Sequence, residues 1–392
     1  MKPFMLIGLL FIVLITSGCW DHTEINDIAF VMGSAIDLGS DGDIVGSAQI
    51  AVPASGLAGP SAGGGQQKKF FVITASGKNI TEVIQRLQKK LSRRLFLAHR
   101  STVFIGEQLA KHGIKDVLDN YTHDPRNRLR TNIMVVKGRE GRDILQIQYP
   151  FEQVPTEAVK EMEFLGIETV VNLRDLFKTA LSEGINPVMG VIEPDVVSKG
   201  MKQSENNMFR LSGTAVFKNF KLAGFLNEKE TGGLLWVTGK MKLGRVTAHL
   251  PEGNGNVGMV LTSTKRRITP VIRGNKVKIN VQLQGEGSLY ENNTSLDVGQ
   301  LKNLELVQHA LEKSVEKQVQ DFLSKIQKQY KVDIVGFGQE IYRNQPKQWK
   351  ALKDQWDTKF PEADISIAVK LSVHGTGMAG PPILLNEKEI KE

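Results

Sequence analysis

Short apolar stretches of two kinds follow one another through the first third of the chain. Alternating or continuous apolar runs bounded by glycine or polar residues are typical of strands, and apolar residues three and four apart are typical of amphipathic helices. Strands are predicted over 28–38, 44–52, 68–76, 100–106 and 129–138. Helices are predicted over 79–95, where Ile80, Val83, Ile84, Leu87, Leu91 and Leu95 share one face, and over 107–121, with a break near His112.

The rest of the chain mixes the same two patterns. Residues 141–185 are mainly helical, and the longest amphipathic pattern, 297–330, predicts a helix roughly 50 Å long. Extended segments are predicted over 186–198, 208–219, 221–226, 255–291 and 364–377, and helices over 227–240 and 336–356, the latter interrupted at Pro346. Some predicted strands follow one another directly, and others are separated by helices. This mixture favours an α+β fold with largely antiparallel sheets, about three mixed α/β domains and one long helix in the C-terminal half.

Composition shifts suggest the domain bounds. We predict a signal peptide over 1–18, an N-terminal mixed α/β domain over 19–140 with a flexible Gly/Pro loop at 53–67, a mainly helical connector over 141–205, a mostly β middle domain over 206–290, a C-terminal α/β domain over 291–378 and a tail over 379–392.

The N-terminus has the pattern of an export signal. Lys2 precedes twelve apolar residues, Phe4 to Ile15, and small residues lead to Gly18-Cys19. The junction resembles a bacterial lipobox, although Thr16 stands where leucine is commoner. A cysteine thiolate can take a diacylglyceryl group as a thioether, and cleavage would leave Cys19 as the acylated N-terminus. The alternative is an ordinary signal with an incidental cysteine.

Cys19 is the only cysteine in the sequence. If it is acylated, the mature chain has no thiol for disulfides, Cys-x-x-Cys redox chemistry, thiolate-bound zinc or a cysteine nucleophile. An apolar content of 41% in 392 residues is enough for stabilisation by core packing instead.

The net charge of +8 is compatible with an anionic partner such as a membrane surface. Seven basic residues and one acidic residue lie within 78–100. We interpret Arg86, Lys89, Lys90, Arg93 and Arg94 as a basic patch that could face anionic lipid headgroups. The competing interpretation is a solvated surface whose charges pair elsewhere. Nucleic-acid binding is disfavoured, because no aromatic residues interleave with the charge in a recognised motif.

Catalytic and metal-binding motifs are missing from the sequence. The seven histidines show no ligand spacing, no G-x-S-x-G elbow occurs, and residues 233–241 fail as a phosphate loop because Met241 replaces the required Ser/Thr. The sequence therefore predicts a protein that is not an enzyme and has no metal or cofactor.

Four segments resemble the spore germination lipoproteins of the Ger(x)C family. They are "GCWDHTEINDIAFVMGSAID", "ASGKNITEVIQRLQKKLSRRLFLAHRSTVFIGEQLAKHGIKDVLD", "GTAVFKNFKLAGFLNEKETGGLLWVTGKMK" and "IYRNQPKQWKALKDQWDTKFPEADISIAVKLSVHGTG". They occur in family order over most of residues 18–378. The segment near His123 departs from the family pattern.

The resemblance implies three mixed α/β domains in an elongated arrangement and no catalytic residues. It also implies a non-enzymatic C subunit of a GerA-type nutrient germinant receptor on the outer face of the spore inner membrane, with A and B subunits as partners. Cys19 would carry S-diacylglycerol and N-palmitoyl groups. Two other classes stay open at this point: a solute-binding lipoprotein that captures the germinant itself, and a lipid-anchored cell-wall hydrolase.

Overall fold

The computed structural model describes residues 24–52, 69–124, 126–195, 208–242, 244–274 and 276–375. The predicted signal peptide and Cys19, the loop 53–67, the end of the predicted connector and the tail 379–392 lie outside the described residues.

Helices and strands alternate irregularly along the described chain. The helices are α1 (Ile80–Gln88), α2 (Glu107–His112), α3 (Lys115–His123), α4 (Gly141–Gln146), α5 (Pro155–Phe164), α6 (Leu173–Ala180), α7 (Glu228–Thr238), α8 (Leu301–Ser324), α9 (Phe337–Asn344), α10 (Pro346–Leu352) and α11 (Trp356–Lys359). The strands are β1 (Ile28–Leu38), β2 (Ile44–Ala51), β3 (Phe70–Gly77), β4 (Arg94–Phe96), β5 (Thr102–Gly106), β6 (Asn132–Val136), β7 (Val188–Asp195), β8 (Met208–Lys218), β9 (Lys221–Leu226), β10 (Arg245–Leu250), β11 (Gly255–Arg273), β12 (Lys276–Asn292) and β13 (Asp364–Gly375).

The first nine strands form one mixed sheet. Its order is β3-β2-β1-β5-β6-β7-β8-β9, and β4 pairs with the beginning of β1. β1, β5, β6 and β7 run parallel as neighbours, so they begin at the same edge, which we call the amino edge. Antiparallel strands flank this parallel centre, and most residue pairs in the two sheets are antiparallel, as the sequence predicts.

Helices cover both faces of this sheet because its central strands are apolar on both sides. Val103 and Ile105 of β5 contact a cluster that includes Leu109 of α2 and residues of α3 and α6. Phe104, between them, points to the opposite cluster with α4 and α5. Alternate residues of a strand face opposite sides, so one continuous apolar strand supplies two cores.

A buried aspartate fixes α4 against the sheet. The Asp37 carboxylate on β1 accepts hydrogen bonds from the backbone N–H of Gly141 (2.6 Å) and of Arg142 (3.2 Å). Burial raises the pKa of Asp37 to about 6 against these two hydrogen bonds. Asp37, which is distant in sequence, thus provides the acceptor for two backbone N–H groups at the start of α4 that have no partner within the helix.

The last four strands form a second sheet, in the order β10-β11-β12-β13. The long helix α8 packs on it through residues spaced by four and three: Val307, Leu311, Val315, Val319 and Phe322. Its chain continues as a π-helical segment, Lys325–Tyr330. The predicted helix over 297–330 is therefore confirmed from Leu301 onward, although Leu301 itself is 71% exposed.

Helix α7 joins the two sheets. It follows β9 and begins with a capping box between Asn227 and Glu230. Lys325 Nζ, after α8, lies 2.7 Å from Glu230 Oε2. The Tyr330 hydroxyl donates to the carbonyl of Phe225 on β9 (2.8 Å). The core of the second sheet also includes Val216 of β8, so apolar packing crosses the junction.

The structure differs from two of the sequence-based predictions. The helix predicted over 79–95 ends at Gln88, because the chain turns back and Leu95 becomes part of β4, paired with β1. The predicted connector 141–205 contributes β7 to the first sheet, and the predicted middle domain 206–290 is divided, with β8 and β9 in the first sheet and β10 to β12 in the second. The domain bounds themselves stay a prediction.

Candidate functional site

The basic patch lies around the end of α1 rather than along a single helix face. Arg86 is on α1, Lys89 and Lys90 follow its last residue, Arg93 lies in the turn, and Arg94 begins β4. Four of the five residues are exposed, and Arg93 is half-buried. Helix termination thus spreads the charge over a turn and a short strand.

Two members of the patch have local partners. Arg86 forms an ion pair with Glu82 and donates to the carbonyl of Ser76 (2.9 Å). Lys90 donates to the carbonyl of Thr74 (2.5 Å). No ion pair holds Lys89 or Arg94 within the described residues. These two side chains are therefore the most available for an external anion.

The patch lies beside the point where the chain enters the fold. Arg94 pairs with Ile28, the first residue of β1, at the amino edge of the sheet. Cys19 lies outside the described residues, but Glu24 is only five positions further along the chain. Five residues span at most ~18 Å. A lipid on Cys19 would hold this edge close to the bilayer surface.

A cleft of about 1080 Å³ also opens at the amino edge. Asn132, at the start of β6, and Val188, at the start of β7, line it from the first sheet. Leu234 and Leu235 of α7 line it from the junction, and Arg343 of α9 lines it from the C-terminal part. The cleft therefore lies where the two halves of the chain meet.

Two carboxyl groups line this cleft without full pairing. Glu163, in the last turn of α5, is 4% exposed, and its Oε2 accepts a hydrogen bond from Asn132 Nδ2. Glu163 Oε1 and Glu168 Oε2 are buried and have no hydrogen-bond partner in the described structure. Burial raises the pKa of Glu163 to about 7. Burial, with a smaller effect of Glu228, raises the pKa of Glu168 to about 7 as well.

Basic residues line the same cleft. They are Lys160, Lys178, Lys240, Lys242, Arg266 and Arg343. Lys160 lies 3.2 Å from Glu157, and Arg266 lies 3.7 Å from Glu340. No hydrogen bond or ion pair in the described residues joins any of the six to Glu163 or Glu168. The cleft therefore presents separate acidic and basic groups.

Four large apolar side chains stand exposed beside the cleft. Phe164 lines it and is 83% exposed, and Leu165 and Ile167 follow at more than half exposure. Leu181, next to the lining residue Ser182, is 86% exposed. Such an apolar rim next to polar groups is typical of an interaction surface.

Sequence reasoning missed the two glutamates. The notable signal is that Glu163 falls on the buried face of α5, with Thr156 and Val159 at helical spacing. A carboxyl group on an apolar stripe is unusual enough to single out. Its hydrogen bond with Asn132, and its place in the same cleft as Glu168, depend on tertiary structure and could not be read from sequence.

The described residues contain neither a membrane-spanning helix nor a cluster of metal ligands. No helix within the described ranges is both long and apolar enough to cross a bilayer. Across that same part of the chain, His, Cys, Asp and Glu side chains form no group of three or more placed to hold a metal ion.

Comparisons with known proteins extend over nearly the whole chain. Residues 21–194 match the family model "Spore germination protein N-terminal domain", and residues 212–377 match "Spore germination B3/ GerAC like, C-terminal". The spore germination protein KC of Bacillus subtilis (strain 168) is 29% identical over 398 residues, covering 97% of this chain and 98% of that protein. The spore germination protein B3 of the same organism is 26% identical, covering 94% and 97%.

A solved structure shares the fold. The crystal structure of the GerBC protein matches with a TM-score of 0.58 at 20% identity, covering 87% of this chain and 97% of that chain. The two family models follow one another in order, and the relatives align from end to end. The chain belongs to the Ger(x)C family of spore germination proteins.

Proposed function

We propose that this chain is a lipid-anchored, non-enzymatic subunit of a spore nutrient germinant receptor. The observation that carries the proposal is the near full-length similarity to proteins named for spore germination. Family membership and the shared fold support the same role. A receptor subunit of this kind acts by contact with partner subunits, here the A and B subunits of a GerA-type receptor.

The proposed anchor is Cys19, and the proposed location is the outer face of the spore inner membrane. Two acyl groups give stable membrane attachment, whereas one is marginal. Attachment confines the chain to a thin layer and raises its effective concentration toward integral partners. Weak contacts between subunits are then sufficient for assembly.

The receptor role is tested in spores that lack this chain but keep the A and B subunits. Such spores should lose their nutrient response, because the complex lacks one subunit, while an artificial trigger that bypasses receptors still works. A tagged chain should also co-purify with both partners from spore membranes. A normal nutrient response without the chain would contradict the proposal.

A second candidate is a solute-binding lipoprotein that captures the germinant itself. The cleft favours it, since about 1080 Å³ is large enough for a small molecule. Saturable binding of a germinating nutrient by the purified chain, without partner subunits, would support this candidate. Binding only in the presence of the other subunits would favour the receptor subunit.

We further propose that the basic patch contacts anionic headgroups. Replacement of both Lys89 and Arg94 by Gln should weaken binding of residues 20–392 to vesicles rich in phosphatidylglycerol by about 30-fold, from ~1 kcal/mol per basic residue. Vesicle co-sedimentation at low ionic strength measures this.

The matched control is replacement of Arg273 and Lys276 by Gln. These two exposed residues flank the turn between β11 and β12 and carry the same charge change. Equal weakening in both double variants would mean that only net charge matters. That result would remove the assignment of the membrane contact to the patch.

A further inference from the structure

The amino edge brings three features together. β1 begins there, β4 carries Arg94 there, and the cleft opens at the starts of β6 and β7. Neighbouring strands are ~4.8 Å apart, so β7 lies about 15 Å across the sheet from β1. The starts of β6 and β7 are level with Gly33, five residues after the start of β1, which adds about 16 Å along the strands and gives about 22 Å in all. With Cys19 anchored, as the proposed function requires, the cleft opens on the side of the sheet that faces the membrane.

The acidic side of the cleft selects a cation that can donate hydrogen bonds. Glu163 is almost wholly buried, and one of its oxygens has no partner in the described structure. Its position at the end of α5 places it at the negative end of the helix dipole. A buried carboxylate without a partner is costly, and a primary ammonium group would supply both charge and N–H donors.

The basic side of the cleft selects an anion. Lys240 and Lys242 follow α7, and Arg343 lies on α9, so these cations come from other elements than the two glutamates. The side chain of Lys242 passes next to Gly166, which lies between Glu163 and Glu168 in the chain. None of the three has an ion pair within the described residues. A polycation would be repelled by them, whereas a molecule that carries one ammonium and one anionic group matches both sides.

The exposed rim identifies the source of such a molecule. Three exposed apolar residues lie in the chain between the two glutamates: Phe164, Leu165 and Ile167. An aromatic and two aliphatic side chains at this place suit the apolar boundary of a bilayer. A free metabolite would leave these side chains in water.

We propose that the cleft binds the headgroup of an ethanolamine phospholipid. The ammonium group lies against Glu163 and Glu168, the phosphate faces Lys240, Lys242 and Arg343, and Phe164 contacts the acyl region. The site would fix the orientation of the amino edge on the membrane, in addition to the covalent anchor.

The test uses the full chain in detergent, titrated with glycerophosphoethanolamine by calorimetry. We expect saturable binding, at least tenfold weaker binding of glycerophosphocholine, which has no N–H donor, and at least tenfold weaker binding to Glu163→Gln. Glu305→Gln, at an exposed position of α8 that does not line the cleft, makes the same change of charge; it is the matched control and should bind normally.

Three results would overturn the proposal: no binding of glycerophosphoethanolamine, equal binding of the choline compound, or unchanged binding to Glu163→Gln. Tight binding of 6-aminohexanoate would reassign the site to a free zwitterion. Because Gln keeps an acceptor oxygen for Asn132 Nδ2 and removes a buried charge, Glu163→Gln should keep or raise the melting temperature without ligand. None of these readouts needs other receptor subunits, so failure here leaves the receptor proposal standing.

Discussion

Replacement of Asp333 by Ala is expected to lower the free energy of unfolding by about 3 kcal/mol or more. Asp333 is buried, and its carboxylate accepts hydrogen bonds from the backbone N–H of Val335 (3.1 Å), Gly336 (2.8 Å) and Gly338 (2.9 Å). It also accepts one from Trp356 Nε1 (3.1 Å). Removing the acceptor leaves four donors unpaired in the core.

The position of Asp333 increases the expected effect. Its carbonyl accepts from the N–H of Asn186 (2.7 Å), and the N–H of Gln339 donates to the carbonyl of Gly184 (3.1 Å). These bonds join the turn before α9 to the segment before β7 in the first sheet. Loss of the turn therefore also weakens the contact between the two halves of the chain.

Urea unfolding of the full chain, followed by tryptophan fluorescence, measures the change. Asp333→Asn keeps one acceptor oxygen and should lose less stability than Asp333→Ala. Asp354→Ala, at an exposed site between α10 and α11, is the control and should change stability by less than ~0.5 kcal/mol. Equal stability of Asp333→Ala and the control would show that the hydrogen-bonded turn contributes nothing.

Local patterns predicted much of the fold. The strand before the polar turn at 39–43, the break of the helix near His112, the interruption at Pro346 and the long helix over 297–330 all depend on residues close in sequence. Each has a short-range signal: a turn, a glycine, a proline or a sustained apolar stripe.

The remaining features depend on contacts that are distant in sequence. Leu91 and Leu95 continue the helical spacing of α1, yet Leu95 is buried against the first strand as part of β4. Pairing with β1 outweighs helix propensity there. The distribution of strands between two sheets likewise follows from long-range pairing, which composition shifts do not encode.

The two parts of the candidate site, the basic patch and the cleft, also differ in how far they could be predicted from sequence. The basic patch could be selected from sequence because its residues are close together in the chain. The cleft could not, because Asn132, Glu163 and Arg343 come from three distant segments. Its only local sign is Glu163 on an apolar helix face.

Replacement of Cys19 by Ala is expected to abolish acylation and to remove the anchor. The thiol is the acceptor of the diacylglyceryl group, and Cys19 is the only thiol in the sequence, so no other side chain can replace it. Without two acyl chains, the contribution of the basic patch alone gives reversible binding. Nutrient germination should then fall to the level of spores that lack the chain.

The most direct measurement compares spores that express the parent chain, Cys19→Ala or His22→Ala in place of the deleted gene, using a fatty-acid label and a nutrient germination assay. The account predicts label and germination with the parent and with His22→Ala, and neither with Cys19→Ala. Acyl labelling together with normal nutrient germination in the Cys19→Ala spores would contradict it.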